Sequence, residues 1–294
     1  MAQRQGGLAW ALLFALVCMW GSSFLFNKLG VATVPPATLV AGRLGIGALI
    51  LLGVMRWHRL SFPPPGAMWL RYVALGLVGN AVPFYLITWG QRVVDSALAG
   101  ILMAVMPLAT LVLAHLLVHG ERMTAGRAIG FVTGFAGIVV LMVGRGTSGA
   151  AAMALVYPVA VLCGALCYAA NSVMTRLLAR GDVLVASTGT LLTATAVAVP
   201  VALFVDAPWT LHPSFSSLAA IVWLGVGPTA VATLCYFRLI GLAGPTFMSL
   251  VNYLSPPVAV LLGVFVMGET PHYSAYAGLA LILAGIALSQ FRRA

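Results

Sequence analysis

Trp20, Ser23, Phe24 and Asn27 stand at the i, i+3, i+4, i+7 spacing of one helical face. They sit inside an otherwise apolar run, "WALLFALVCMWGSSFLFNKLG", from Trp10 to Gly30. A face of this kind offers an aromatic ring, a hydroxyl and an amide. Together these can stack on the apolar part of a small molecule and hydrogen-bond to its polar part. In hydrocarbon such groups are costly unless they turn toward an interior. An offset of 148 residues brings up a second face of the same kind, Tyr168, Asn171, Ser172 and Thr175. Trp20 lies about 18 Å into its run at 1.5 Å per residue, close to mid-bilayer depth. The two faces are expected to line a substrate pathway. The competing account is that Gly21 and Ser23 serve close helix packing and Trp20 fills core.

Other polar and helix-breaking residues recur at matched depths. "LGLVGNAVPFYLITWGQ" carries Asn80, Pro83, Tyr85 and Trp89, and "LGVGPTAVATLCYF" carries Gly225, Gly227 and Pro228. A proline removes one helical hydrogen bond and leaves a carbonyl free, for a polar solute or for a hinge. Asn80, Tyr85 and Trp89 are candidate cavity residues, with an interfacial anchor as the other role open to Trp89. Met103, Met106 and Pro107 in one half stand against Asn252, Tyr253, Pro256 and Pro257 in the other. Met106, Asn252 and Tyr253 join the candidate binding residues, and Pro83, Pro107, Pro228 and Pro256 the candidate hinges. His115 is either a proton relay or a structural histidine. Glu121 and Glu269, each after a glycine at a run's end, are expected to cap a helix or anchor a gate.

The elements that must position these residues follow from composition. Hydrophobic residues make up 62% of the 294 and charged residues 7%, with mean hydropathy +1.07. An ordinary soluble domain has about 25% charged residues. The chain is therefore read as an integral membrane protein. Ten apolar runs, approximately 8–27, 37–55, 68–90, 96–118, 125–143, 153–176, 183–205, 216–237, 244–267 and 273–291, are each long enough for a helix to cross a bilayer of about 30 Å. The formal net charge of +10 suggests nucleic acid, but the cations lie singly or in small groups between the runs, as membrane topology requires. The N-terminal side collects Arg4, Arg56, Arg59, Arg71, Arg122, Arg127, Arg176, Arg180, Arg238, Arg292 and Arg293, against Lys28, Arg92 and Arg145 opposite. Both termini are accordingly expected in the cytoplasm. The Ala, Gly, Val and Arg bias points to a bacterial inner membrane.

Several chemistries are excluded by what the chain lacks. It has no Walker-type phosphate loop, no HExxH, no intramembrane Asp pair and no Asp-rich magnesium motif. Ser22 or Ser23 with His115 would make a hydrolase dyad, but the two lie at different depths. Cys18, Cys163, Cys167 and Cys235 fall inside apolar runs, as small fillers do. No metal or cofactor is implied. The five acids, Asp95, Glu121, Asp182, Asp206 and Glu269, all fall at run ends, which disfavours an organic-cation pump. No Lys or Arg occurs between Leu239 and Gln290, which disfavours phosphorylated substrates. A neutral or zwitterionic small molecule remains. Arg43, inside the second run, is expected to snorkel or to pair with Asp95.

The chain also repeats itself. "VHGERMTAGRAIGFVTGFAGIVVL" aligns with "VMGETPHYSAYAGLALILAGIAL", placing Gly120, Glu121, Gly130 and Gly137 on Gly268, Glu269, Gly278 and Gly285. Five runs per half, an odd number, make the repeat inverted, as in secondary transporters. With "WGSSF" at Trp20–Phe24, "AGRLGIGALILL" in the second run, and Pro107 and Pro256 each followed by Gly-Glu, the sequence resembles the drug/metabolite transporter superfamily, in its ten-helix EamA-type branch. The resemblance covers essentially the full length, though "CYAANS" (Cys167–Ser172) departs from the first-run signature. It implies an all-α membrane protein of ten transmembrane helices, as two inverted five-helix repeats (1–148 and 149–294) around a central cavity. It also implies export of small metabolites, with aromatic and neutral amino acids nearest. A channel or facilitator, or a multidrug-type exporter, is the alternative. The expected partners are the solute and the bilayer, with the chain a monomer or weak homodimer.

Overall fold

The structure is a computed structural model and describes residues 6–121, 123–143, 155–178 and 180–290. Arg4, Arg122, Arg145, Arg292 and Arg293, which enter the charge count by side, lie outside the described residues. Every regular element described is helical: α1 (Gly7–Val31), α2 (Pro36–Trp57), α3 (Ala67–Gly76), α4 (Val82–Gly90), α5 (Ser96–Met103), α6 (Met106–Leu117), α7 (Ala125–Val143), α8 (Val156–Leu178), α9 (Val183–Val205), α10 (Phe215–Leu224), α11 (Ala232–Met248), α12 (Leu250–Met267) and α13 (Tyr273–Gln290). A π turn, Leu77–Ala81, joins α3 to α4, and a second, Gly225–Val231, joins α10 to α11. Counting α3–α4, α5–α6 and α10–α11 each as one continuous span, nine helices among the described residues are long and apolar enough to cross a membrane, and Tyr273–Ser289 is a shorter apolar helix.

Local chemistry sets the ends. Pro36, Pro83 and Pro107 stand in the first turns of α2, α4 and α6, where no helical N–H is needed. The Asp182 carboxylate accepts from the N–H groups of Leu184 and Val185 to start α9, and Ser214 accepts from Ser217 N–H to start α10. α11 breaks at Gly244, whose φ of 80° suits only a residue without a Cβ, so the ninth run begins its regular helix at Leu250 rather than at 244.

In lipid the helices gain little from hydrophobic burial against one another, so they associate through close backbone approach. α7 and α13 show this most clearly. A Cβ on Gly137 would meet the Gly278 carbonyl at 2.7 Å, a Cβ on Gly278 would meet the Gly137 carbonyl at 2.8 Å, and a Cβ on Gly130 would collide with the Gly285 carbonyl. The glycines that the sequence repeat aligns thus serve helix packing within the chain. Leu108, Leu141, Ile282 and Ile286, all buried, fill the space beside it.

Polar bonds gather at one face of the bundle, where the α1–α2, α4–α5, α9–α10 and α12–α13 connections meet. Lys28 Nζ donates to the Val94 carbonyl at 3.1 Å and lies 3.8 Å from Asp95 Oδ1. Thr33 Oγ1 donates to Ser217 Oγ at 2.8 Å, and Ser217 Oγ donates on to the Leu29 carbonyl at 2.9 Å. Asp206 Oδ2 accepts from Thr38 N–H at 2.7 Å and from its hydroxyl at 3.0 Å. Glu269 accepts three bonds of 2.8 Å, from Ser96 N–H, Ser96 Oγ and Ala97 N–H. This is the far face; the near face is where α1 begins.

Candidate substrate pathway

The two π turns organise the middle of the bundle. Pro83 lacks an N–H and follows the first turn, where Val82 N–H reaches back five residues to the Leu77 carbonyl. Pro228 lies within the second, where Ala232 N–H reaches back five to the Gly227 carbonyl. The turns start 148 residues apart, at Leu77 and Gly225, matching the offset of the sequence repeat. Widened turns of this kind free backbone groups and recur at functional sites.

Trp20 meets the second turn directly. Its Nε1–H donates to the Pro228 carbonyl at 3.2 Å, and its ring centroid lies 6.1 Å from that of Tyr236. Beside it, Arg43 of α2 donates Nε–H to Thr229 Oγ1 at 3.0 Å, while Thr229 passes its own proton to the Leu224 carbonyl at 2.8 Å. The Arg43 guanidinium carbon stands 3.7 Å from the centroid of Phe84, and Phe84 meets Tyr168 edge-on at 6.2 Å. Asn171, one helical turn along α8, packs its amide against Gly79 of the first turn, where no side chain could fit. Its Oδ1 is buried with no partner among the described residues. Tyr168, Asn80 and Asn252 are half-buried and make no side-chain hydrogen bond among the described residues. Trp20, Arg43, Phe84, Tyr168 and Asn171 thus ring the two π turns, from α1, α2, α4 and α8.

Arg43 corrects an expectation. It neither snorkels nor pairs with Asp95: it is only 8% exposed, and Asp95 lies beside Lys28. With Thr229 and Phe84 it is what sequence reasoning missed at this site. The available signal was a lone arginine inside an apolar run.

The remaining candidates are placed elsewhere or tied up internally. Ser23 Oγ donates to its own helix, at the Trp20 carbonyl, 2.7 Å away. Asn27 is buried in a network: its Nδ2 donates to Gln91 Oε1 at 2.8 Å, its Oδ1 accepts from Thr88 at 2.9 Å, and Gln91 Nε2 donates to the Phe24 carbonyl at 2.9 Å. Trp89 stacks on Tyr157 with centroids 4.7 Å apart. Tyr85 lines an apolar groove of about 200 Å³ with Val82, Val197 and Val201, all partly exposed on the bundle's outer side. Tyr253 donates its hydroxyl to the Ile286 carbonyl at 3.3 Å. Met106 and Pro107 are half-buried at the α5–α6 break. Pro256 is buried in α12 and, with Pro257, offers no N–H to the carbonyls of Asn252 and Tyr253. His115 is exposed, with Nδ1 2.8 Å from the Glu121 carbonyl and 3.2 Å from Met123 N, so it braces the α6–α7 loop. Ser22 bonds the Met19 carbonyl, far from His115. The four cysteines are free thiols.

A multi-pass helical bundle with half-buried aromatic and polar groups around two widened turns defines an integral membrane protein of the transporter class. The chain belongs to the EamA-like transporter family, which it matches over residues 6–143 and again over 156–291. It is 28% identical to the "Uncharacterized inner membrane transporter YedA" of Escherichia coli K12 over 279 residues, 94% of this chain and 88% of that one. It is equally 28% identical over 288 residues to the "Probable terminal-alkyne amino-acid exporter" of Streptantibioticus cattleyicolor, covering 95% and 92%. A crystal structure at 23% identity superposes with a TM-score of 0.69 over 96% of this chain and 97% of the other, which supports the fold alone.

Proposed function

We propose that the protein is a secondary transporter that exports small neutral or zwitterionic metabolites, amino acids including aromatic ones first among them, by alternating access. Its ten helices then form two inverted five-helix repeats, 1–148 and 149–294, with both termini cytoplasmic. The observation that carries this reading is the pair of π turns at equivalent positions of the two halves. Each is flanked by an aromatic side chain from the equivalent helix of the repeat, Trp20 on the Pro228 carbonyl and Tyr168 beside Phe84. Matched breaks of this kind at a repeat interface form the binding site in alternating-access carriers. The amino-acid class is supported by an aromatic surface interleaved with amides that have no partner among the described residues, and by the name of one relative, a probable terminal-alkyne amino-acid exporter.

In this reading the far face is shut. Bonds from Thr33 to Ser217, Thr38 to Asp206 and Glu269 to Ser96 tie one half to the other there. Substrate enters from the near, cytoplasmic face and reaches Trp20, Asn80, Tyr168, Asn171 and Asn252. The halves then rock about the proline-marked breaks. Whether an ion is coupled is decided by transport with and without a pH gradient.

The test is uptake of labelled phenylalanine, tryptophan, methionine and threonine into proteoliposomes, for the native protein beside Trp20→Ala and Tyr168→Ala. Saturable uptake, accelerated by unlabelled substrate on the opposite side and reduced about threefold to tenfold by either variant, is expected; stacking on such rings contributes about 0.5–1.5 kcal/mol beyond area burial. Linear uptake without acceleration from the opposite side indicates a channel instead.

A further inference from the structure

Arg43 is a membrane-embedded cation without a counter-charge among the described residues. It is 92% buried by area, and its one hydrogen bond among the described residues leaves from Nε to a neutral hydroxyl, that of Thr229. The two Nη groups therefore hold four N–H donors with no acceptor among those residues. The chain has five acidic side chains, and each is engaged elsewhere. Asp95 lies beside Lys28, Glu121 holds Arg127 and Arg176, Asp182 caps α9, Asp206 accepts from Thr38, and Glu269 caps α5. A buried charge left unpaired is strongly destabilising, so a guanidinium kept here has to be matched by something that arrives.

The surroundings say what arrives. Phe84 covers the guanidinium 3.7 Å away, and a cation held over a ring keeps its in-plane N–H groups free to point outward. Tyr168, edge-on to Phe84, and the Asn171 amide line the same π-turn region. Both carry polar atoms without a partner among the described residues. The planar fork of an arginine matches two oxygens at once, which a carboxylate supplies. We propose that Arg43 is the carboxylate anchor of the substrate site, gripping the α-carboxylate of an amino acid whose side chain lies against the Phe84–Tyr168 pair. This rests on the transporter reading and deepens it. It replaces a substrate of unspecified neutral character with one that must carry a carboxylate.

The test compares three ligands of one shape in purified full-length protein, by the concentration dependence of thermal stabilisation: L-phenylalanine, L-phenylalaninamide and 3-phenylpropionate. The native protein is expected to hold phenylalanine at least about tenfold more tightly than phenylalaninamide, and Arg43→Met to erase that ratio, because charge-assisted bidentate bonds are lost. Arg43→Lys, a point charge without the fork, is expected to keep part of it. Stabilisation by 3-phenylpropionate but not by phenylalanine supports the carboxylate anchor and removes the amino-acid assignment. Equal affinity of the native protein for phenylalanine and its amide overturns the anchor and leaves amino-acid export standing. Weakening of all three ligands by one common factor in Arg43→Met overturns it too, since a purely structural tie to Thr229 would do that. No stabilisation by any of the three also overturns it. If Arg43→Met does not fold, the native ratio alone decides.

Discussion

Glu121 and Glu269 occupy the same place in the two sequence repeats, each after a glycine, yet they do different work. Glu269 sits at the start of α5 and takes three bonds of 2.8 Å from Ser96 and Ala97, two of them from backbone N–H groups that the helix itself leaves unsatisfied. Glu121 makes no bond to a backbone N–H of a helix start among the described residues. It bridges two arginines, Arg176 at 2.7 Å and Arg127 at 3.3 Å, with the Arg176 side chain 60% exposed. Both glutamates join the halves, Glu269 through buried backbone N–H groups of Ser96 and Ala97 and Glu121 through the exposed side chain of Arg176. The tie on the near face is the weaker kind, an ion pair open to solvent, and that inequality is what the proposed shut far face requires. The bonds of Thr33, Thr38 and Asp206 sit on the same face as Glu269.

The comparison breaks most decisively at Glu269. Glu269→Ala leaves the start of α5 without its acceptor inside the joint, and a loss of about 3 kcal/mol is expected, seen as a lowered Tm. Its partly exposed counterpart, Glu121→Ala, should cost about 0.2–1 kcal/mol. Equal losses at the two positions would remove the asymmetry. Next in size is the buried network that stiffens the far half of α1. Asn27→Leu orphans Gln91 Oε1 and the Thr88 hydroxyl, for about 2 kcal/mol in the same measurement. Thr38→Val removes one of the two bonds to Asp206 and should cost about 1 kcal/mol.

The smallest effect sharpens the contrast through pH. Arg176, by hydrogen bond and charge, with Arg127 adding to it, holds the Glu121 carboxyl below its ordinary value of 4.5. A folded-state value below the unfolded one means that the stability it contributes is present above the ordinary value. That stability is lost as pH falls through the depressed folded value. Native protein and Glu121→Gln should therefore differ slightly in Tm near pH 7 and converge in strong acid. A gap that widened on acidification would contradict the assignment.

Much of the architecture was legible in the sequence because the bilayer leaves few choices. Nearly unbroken apolar runs must be helices, and the observed spans begin and end within a few residues of the runs, apart from the eighth, which runs on to Gly244 instead of ending near 237, and the ninth, which starts later in consequence. The sequence repeat was legible at its glycines because close backbone contact needs a specific residue type, as Gly137 and Gly278 show. The site was legible only in part. Trp20 and Tyr168 stand beside the two π turns, on the helix faces that their spacing defines. Tyr85 was assigned to a cavity and stands in an outer groove, because the π turn at Leu77–Ala81 adds a residue and rotates everything after it. Asn27 lies on the face expected of it, but its partners Thr88 and Gln91 come from another helix. Arg43 was the least legible, since Thr229, 186 residues away, and Phe84 are brought to it by tertiary packing alone.

The central claim, that one face is shut while the other is the way in and that the two exchange, is tested most directly by paired distance measurements. Spin labels at exposed positions Ala32 and Thr210 report the far face, and labels at Ala67 and Leu177 the near face, in protein freed of its native cysteines. Each pair is measured by electron–electron resonance in nanodiscs, with and without saturating phenylalanine. Opposite changes are expected, the far pair lengthening as the near pair shortens. Two distances that stay fixed, or that move in the same direction, would contradict alternating access.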